Sequence, residues 1–161
     1  MSENRAPLHV CIVIDSLKPG GAERVASVMA NYWAVTNQRI TVIALKDETA
    51  FYQLHEKVEY YQIGLAQKSG NFLSGIRNTY KRVRVLYRYF RQLRADVIIS
   101  FFSDINILSI LAGRIAGIPV IINERTHPGK HPPEKRWRLA VLVFYRLASR
   151  LVLQTTGVRR Y

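Results

Sequence analysis

Cysteine is almost absent from this chain, and so is any long uninterrupted apolar run. The single cysteine, Cys11, lies inside the first apolar segment, which excludes a disulfide framework and predicts a reduced core residue of a cytoplasmic protein. The longest apolar stretch, 105–122, is interrupted by Asn106, Arg114 and Pro119, so we expect no transmembrane segment. The N-terminal residues also lack the apolar core of a secretory signal peptide.

Two common phosphate-binding motifs are missing as well. The sequence has no G-x-G-x-x-G fingerprint of dinucleotide-binding domains and no glycine loop that ends in G-K-[ST]. It has no Pro/Gly-rich or low-complexity linker, so its 161 residues predict one compact domain. If the chain binds a phosphate group, a different turn must do so.

Acidic residues are scarce only in the second part of the chain. Residues 1–66 carry 6 Lys+Arg and 7 Asp+Glu, whereas residues 67–161 carry 18 and 4, so the net charges are −1 and +14 and the total is +13. A strongly basic region indicates an anionic partner, which could be membrane lipid, a lipid-linked phosphate or nucleic acid. Nucleic acid is the least favoured because no nucleic-acid-binding motif accompanies the charge.

A buried strand followed by a glycine turn opens the chain. The run from Val10 to Ile14 is apolar and rich in β-branched residues, which predicts a strand covered on both faces, and a helical pattern begins at Gly20 and Gly21. Adjacent glycines let backbone amides approach an anion without interference from a Cβ, and the following helix N-terminus favours negative charge. The turn is therefore a candidate phosphate or carboxylate site, although a plain tight turn explains it equally well.

Strands alternate with helices along the rest of the chain. Further strands are predicted at 40–45, 58–63, 96–101, 119–123 and 151–153, and helices at 21–33, 71–94, 106–116 and 134–148. This alternation is typical of an α/β, doubly wound, Rossmann-like parallel sheet with helices on both faces, and the alternating pattern of 58–63 indicates an edge strand. Ligands of such sheets bind at the carboxyl ends of strands, so the informative loops are 15–21, 102–106 and 124–130.

The predicted helix 71–94 is amphipathic and strongly basic. Seven cations with no acid among them separate its apolar positions. Five of them form the candidate membrane or anion patch: Arg77, Lys81, Arg84, Arg88 and Arg91. Interleaved tyrosines could enter a lipid interface, while a merely solvated helix surface is the competing interpretation.

Five segments in sequence order resemble the N-terminal domain of a retaining GT-B glycosyltransferase of family 4. They are 14–24, which ends in Gly-Gly-Ala-Glu-Arg, then 96–100, 111–121, 123–128 and 145–152. The resemblance implies that residues 1–161 are the acceptor-side half of a GT-B architecture and that the C-terminal nucleotide-sugar domain is absent. The complete enzyme would move a hexose from a nucleoside-diphosphate sugar to a lipid-linked or cell-envelope glycan, with no metal and no cofactor. This chain alone is expected to be inactive.

The same resemblance assigns roles to the three loops. Gly20 and Gly21 would approach the diphosphate and sugar of the donor. Acceptor contacts are implied for Ser103, Asp104, Asn106, Glu124, Arg125 and His127, and Glu124 and His127 are the candidates for a catalytic role. Relatives commonly read Glu-Arg-Asn-Asp-Pro or Glu-His-Asn where this chain has Glu-Arg-Thr-His-Pro at 124–128, which leaves the role of His127 open.

Structural roles compete with these assignments. Glu124 and Arg125 could form ion pairs that stabilise their loop, His127 could be a solvated loop residue, and Ser103 and Asp104 could cap the next helix. A different function also stays open, namely a non-catalytic basic module that docks on an anionic membrane or a partner protein. For either function we expect a cytoplasmic protein, with peripheral attachment at the inner face of the membrane as an extension.

Overall fold

The computed structural model describes residues 6–65, 72–124 and 141–153, which form one six-stranded sheet with every strand parallel to its neighbours. The strands are β1 His9–Ile14, β2 Arg39–Ala44, β3 Val58–Gln62, β4 Val97–Phe101, β5 Val120–Glu124 and β6 Arg150–Leu153. Their order across the sheet is β3-β2-β1-β4-β5-β6. The predicted doubly wound, Rossmann-like α/β class is confirmed.

Burial along the strands follows their place in the sheet. All six residues of β1 are buried, as expected for a central strand covered on both faces. The alternating pattern of β3 was predicted to mark an edge strand, and β3 does lie at one edge, with its last residues, Tyr61 and Gln62, exposed.

Three helices cover the sheet: α1 Gly21–Val35, α2 Phe72–Leu93 and α3 Ser103–Ala116. Residues 141–144 are helical too and run into a 3-10 turn at Tyr145–Leu147. Helix α3 ends where Gly117 takes the left-handed conformation (φ 74°), and the Ile118 amide then donates to the Gly113 carbonyl. This closure satisfies carbonyls that the helix itself leaves unpaired.

Alternate residues of the strands feed two separate apolar cores. On one face, Val10, Ile12 and Ile14 of β1 pack with a row of alanines on α1, namely Ala22, Ala26, Ala30 and Ala34. On the other face, Cys11 and Val13 pack beneath α2 and α3. Cys11 has no exposed surface, in agreement with the predicted core role, and burial raises the pKa of its thiol.

The structure corrects three details of the sequence-based prediction. Helix α3 begins at Ser103 and not at Asn106, because its first turn is polar and gives no apolar periodic signal. Glu124 is the last residue of β5 and not a loop residue. The predicted helix 134–148 lies mostly outside the described residues, and its end at Tyr145–Leu147 is a 3-10 turn.

Candidate functional site

The carboxyl ends of β1, β4 and β5 lie side by side, because these strands are neighbours in the sheet. Three of the segments singled out from the sequence therefore meet at one edge: the Gly20-Gly21 turn, the start of α3 and the end of β5. In parallel sheets this edge is where ligands bind. We call it the carboxyl edge.

The glycine turn at the carboxyl edge is held by a tyrosine. The Gly20 amide donates to the Tyr52 hydroxyl (3.2 Å), and that hydroxyl donates to the Gly20 carbonyl (3.0 Å). A Cβ on Gly20 would collide with the carboxylate of Glu23, so the missing side chain leaves room for that acid. A Cβ on exposed Gly21 would meet no heavy atom within 4 Å. Gly21 is thus the more open of the two glycines, and donor binding at this turn stays a prediction.

The two lysines beside the glycine turn pair with carboxylates. Lys46 Nζ lies 2.5 Å from Asp15, and Lys18 Nζ lies 2.9 Å from Glu48. The hydrogen bond with Asp15 raises the pKa of Lys46, and the hydrogen bond with Lys18 lowers the pKa of Glu48. The β1–β2 side of the edge is therefore close to neutral around the predicted diphosphate position.

The start of α3 follows a sharply turned backbone. Phe102 has φ 73°, an uncommon conformation for a bulky residue, and it is the N-cap residue, without a side-chain hydrogen bond. The Ser103 hydroxyl instead donates to Glu124 Oε2 (2.9 Å), so the interpretation of Ser103 as a helix cap is wrong. Burial raises the pKa of Asp104, and the charge of Asp15 adds to this. These first residues of α3 face the site.

Asn106 lies beneath the surface of the site. It has no exposed area, accepts a hydrogen bond from Ser100 (2.7 Å) and donates to the carbonyl of Asn123 and the hydroxyl of Tyr145 (3.2 Å each). In this conformation its amide contacts protein groups. An acceptor contact by Asn106 stays a prediction.

Glu124 is only 8% exposed and lies between two hydroxyl groups. The Tyr145 hydroxyl donates to its Oε2 at 2.7 Å, alongside the bond from Ser103. Burial, followed by the charge of Glu124, raises the pKa of Tyr145, so this phenol stays protonated and keeps donating. Arg125 and His127, the other predicted residues of this segment, lie outside the described residues.

Sequence reasoning missed the residues that support the site. Tyr145 and Tyr52 lie far along the chain from the groups they hold, at Glu124 and Gly20, and no local motif connects them. Ser100 was seen only as part of a strand. The polar residue inside an otherwise apolar strand was the one available signal, because a buried polar group needs a partner.

The five cations predicted for the basic patch are all exposed along α2: Arg77, Lys81, Arg84, Arg88 and Arg91. Their spacing of four, three, four and three places them in one stripe. Exposed Ile76 (54%) and Tyr80 (66%) flank its N-terminal end. Arg82 differs, because it is half-buried and donates to the Leu65 carbonyl (2.9 Å).

Neither a metal-binding cluster nor a membrane-spanning helix occurs in the part of the chain that the structure describes. No group of three or more His, Cys, Asp or Glu side chains there is arranged to bind a metal ion. No helix among these residues combines the length and apolarity that crossing a bilayer requires.

Solved structures with a similar fold define the class. MurG from Acinetobacter baumannii matches with a TM-score of 0.64 and 19% identity, over 91% of this chain and 41% of its own. A UDP-N-acetylglucosamine 2-epimerase gives a TM-score of 0.66 and 13% identity, over 96% and 44%. Identities this low establish the fold alone, which is that of the N-terminal half of a GT-B protein.

Sequence similarity places the chain more closely. It belongs to glycosyltransferase family 4, whose family profile matches residues 19–161. A relative from Campylobacter jejuni subsp. jejuni serotype O:2 is 26% identical over 138 residues, which are 86% of this chain and 38% of the relative. Its name is GalNAc-α-(1→4)-GalNAc-α-(1→3)-diNAcBac-PP-undecaprenol α-1,4-N-acetyl-D-galactosaminyltransferase. The chain thus spans well under half of that relative's length.

Proposed function

We propose that this chain is the acceptor-side half of a retaining glycosyltransferase, which moves a hexose from a nucleoside-diphosphate sugar to a lipid-linked or cell-envelope glycan. The observation that carries the proposal is the meeting of family-matched segments at one sheet edge: Gly20-Gly21, the start of α3, and Glu124. The acceptor class agrees with the name of the Campylobacter relative, whose substrate is a glycan on PP-undecaprenol.

The side chains at the start of α3 and the end of β5 suit a sugar. Ser103 offers a hydroxyl, and Asp104 and Glu124 offer carboxylates. Sugar hydroxyls donate hydrogen bonds readily to carboxylates and also bond to other hydroxyls, so side chains of these kinds can bind them. We therefore assign acceptor binding to the β4–β5 side of the carboxyl edge, together with Arg125 and His127 if the following segment reaches it.

The glycine turn supplies half of a donor site in this proposal. An anion at Gly20-Gly21 would gain from helix α1, but Glu23 brings a carboxylate to the same turn, and both nearby lysines pair with acids. In this proposal, cations of a second domain complete the site. Nucleoside diphosphates should bind residues 1–161 no more tightly than about millimolar, which corresponds to about −4 kcal/mol.

Labelled nucleotide sugars test the proposal directly. The complete enzyme, incubated with undecaprenyl-diphosphate glycans, should move the label into the lipid fraction, while residues 1–161 should not. Nuclear magnetic resonance of the product's anomeric carbon should give the donor's configuration. Turnover by residues 1–161 alone, or micromolar nucleotide binding to them, would refute the split site. No transfer by the complete enzyme with any nucleotide sugar would refute the transferase.

A second candidate function rests on the exposed cation stripe of α2. A chain that docks on anionic membrane through Arg77, Lys81, Arg84, Arg88 and Arg91 needs no catalytic site. Near a charged bilayer each such cation contributes about 1 kcal/mol, and the apolar pair Ile76 and Tyr80 could enter the interface. The same surface would bring the proposed transferase to a lipid-linked acceptor, as a peripheral protein at the inner face of the membrane.

Vesicle sedimentation separates this function from a merely solvated helix face. The chain should bind vesicles that contain anionic lipid, lose binding as salt rises, and ignore neutral vesicles. Arg84, Arg88 and Arg91, changed together to Glu, should abolish binding. The matched control is the triple change of Arg24, Lys57 and Arg114 to Glu, at exposed positions outside α2. If both triple variants lose vesicle binding equally, the binding depends on the net charge of the chain and not on the stripe.

A further inference from the structure

Glu124 is held at one oxygen by two hydroxyl groups that come from different parts of the chain. Ser103 belongs to the first turn of α3, and Tyr145 opens the 3-10 turn that precedes β6. Both donate to Oε2, at 2.9 and 2.7 Å. Hydroxyl bonds to an ionised carboxylate are short and roughly twice as strong as neutral ones, so the direction of this carboxylate is fixed.

The hydroxyl of Tyr145 is itself held by Asn106. Asn106 Nδ2 donates to the Tyr145 hydroxyl, and Asn106 Oδ1 accepts from Ser100. Each hydroxyl proton has one acceptor along this path, because Ser100 donates to Asn106 and Tyr145 donates to Glu124. Ser100 and Asn106 have no exposed surface, so the chain of bonds is anchored in the core. We call Ser100, Asn106, Tyr145, Ser103 and Glu124 the buried network.

The buried network ends at the carboxyl edge of the sheet. Glu124 is the last residue of β5, next to the carboxyl end of β4. A charge at 8% exposure is costly to bury, and a neutral residue of similar volume would end the strand at lower cost. The hydroxyls of Ser103 and Tyr145 thus hold an oriented carboxylate at the edge where ligands of parallel sheets bind.

We propose that Tyr145 is a positioning residue, which orients the Glu124 carboxylate to accept a hydrogen bond from a hydroxyl of the sugar acceptor. This inference rests on the proposed transferase function. Tyr145 contacts no substrate in this proposal and acts only through Glu124. Ser103 assists from the other side, while Asn106 fixes the hydroxyl of Tyr145 so that its proton points at Glu124.

The first test concerns the network and needs no activity. In residues 1–161 labelled with ¹⁵N and ¹³C, Tyr145→Phe should shift the side-chain amide signals of Asn106 and the carboxyl signal of Glu124. Tyr32→Phe removes a hydroxyl from an exposed ring (63%) and should leave both signals in place. Unchanged signals in Tyr145→Phe, or equal changes in the two variants, would show that Tyr145 does not hold Asn106 and Glu124, and would overturn the proposal.

The second test concerns the reaction in the complete enzyme. Tyr145→Phe should lower kcat by about 10- to 100-fold, because a displaced contact group costs that much, with the donor KM unchanged. In a Glu124→Ala background the same change should cost less than about 3-fold, since no carboxylate or amide group is left for Tyr145 to orient. Equal losses in both backgrounds would indicate a general structural role and overturn the proposal.

The two tests also separate this inference from the proposed function. If the complete enzyme transfers sugar and Tyr145→Phe leaves kcat unchanged, the positioning role is wrong and the transferase stands. If the complete enzyme transfers no sugar, the transferase and the positioning role both fall, whatever the resonance signals report about the network. We expect both signals to shift and the kcat loss of Tyr145→Phe to disappear in the Glu124→Ala background.

Discussion

The two sides of the carboxyl edge are held together by different forces. On the β1–β2 side, lysines pair with acids near the surface, and the paired side chains are between 29% and 57% exposed. On the β4–β5 side, hydroxyl, amide and carboxylate groups bond to one another, from the half-buried Ser103 and Tyr145 inward to Ser100 and Asn106, which are fully buried. One side is a set of surface ion pairs, and the other is the buried network.

This difference predicts different behaviour when ligands arrive. Exposed ion pairs contribute little to stability, so Lys18 and Lys46 can exchange their carboxylate partners for a phosphate at little cost. A buried network is costly to rearrange, because every group left without a partner costs about 1–3 kcal/mol. Under the proposed function, the β4–β5 side is preset for the acceptor, while the β1–β2 side can adapt to the donor.

Asn106→Ala should change the free energy of unfolding more than the other variants considered below. It leaves the Ser100 hydroxyl and the Asn123 carbonyl without their partner, so unfolding should become easier by about 3 kcal/mol. Asn31→Ala is the matched control, because Asn31 also donates to a backbone carbonyl, of Gln53, and accepts a hydrogen bond, from His55, but in a half-exposed place. It should cost about 1 kcal/mol. Urea unfolding measures both, and equal costs would contradict the contrast between the two sides.

Glu124→Gln should give the second-largest loss of stability. The variant keeps the volume and an acceptor for Tyr145 and Ser103 but loses the charge, so we expect a stability loss of about 1 kcal/mol. In the complete enzyme transfer should fall at least about 10-fold. Exposed Glu56→Gln is the control and should change neither quantity. A loss of activity that only mirrors a loss of folded protein would favour a structural role for Glu124.

The fold could be predicted from the sequence, because buried parallel strands and amphipathic helices each have a characteristic pattern of apolar residues. The run at 10–14 and the alternation at 58–63 placed a central and an edge strand. The same logic failed at Ser103, where a helix begins with polar residues, and at Glu124, where a polar residue ends a buried strand. The pattern of apolar residues gives no prediction at positions where the chain buries polar groups.

The carboxyl edge could be predicted from the sequence, but the contacts within it could not. The rule that ligands of parallel sheets bind at strand carboxyl ends needs only the element order, and that order brings Gly20, Ser103 and Glu124 to one edge. The partners Tyr52 and Tyr145 come from segments 32 and 21 positions away from the groups that they hold. Such contacts depend on how elements pack, and no single-segment pattern encodes that.

Gly21→Val should change stability little. Its Cβ would meet no heavy atom within 4 Å, so we expect a change within about 0.5 kcal/mol, as for ordinary surface positions. In the complete enzyme it should abolish transfer, because the side chain would keep the diphosphate from the backbone. Val28→Ile, at an exposed position (59%) farther along α1, is the control. Full transfer by Gly21→Val would mean that this turn has no donor role.

Asp104→Asn is expected to have the smallest effect, and its sign is a gain. Burial, aided by the charge of Asp15, raises the pKa of Asp104, so the folded protein holds this proton more tightly than the unfolded chain does. The resulting stabilisation is complete below about pH 4, the ordinary value for Asp, and is lost as pH rises through the higher folded pKa. At pH 7 the charged carboxylate therefore opposes folding.

Replacing that carboxylate by a neutral amide should raise Tm at pH 7 and bring no such advantage at about pH 3, where Asp104 is itself neutral. Exposed Asp47→Asn should show neither effect. If Asp104 contacts the acceptor, the same variant should lose transfer in the complete enzyme while it gains stability, a combination expected of a residue retained for function. A lower Tm at pH 7 would instead make Asp104 a stabilising residue at the start of α3, and the β4–β5 side would lose one of its proposed acceptor contacts.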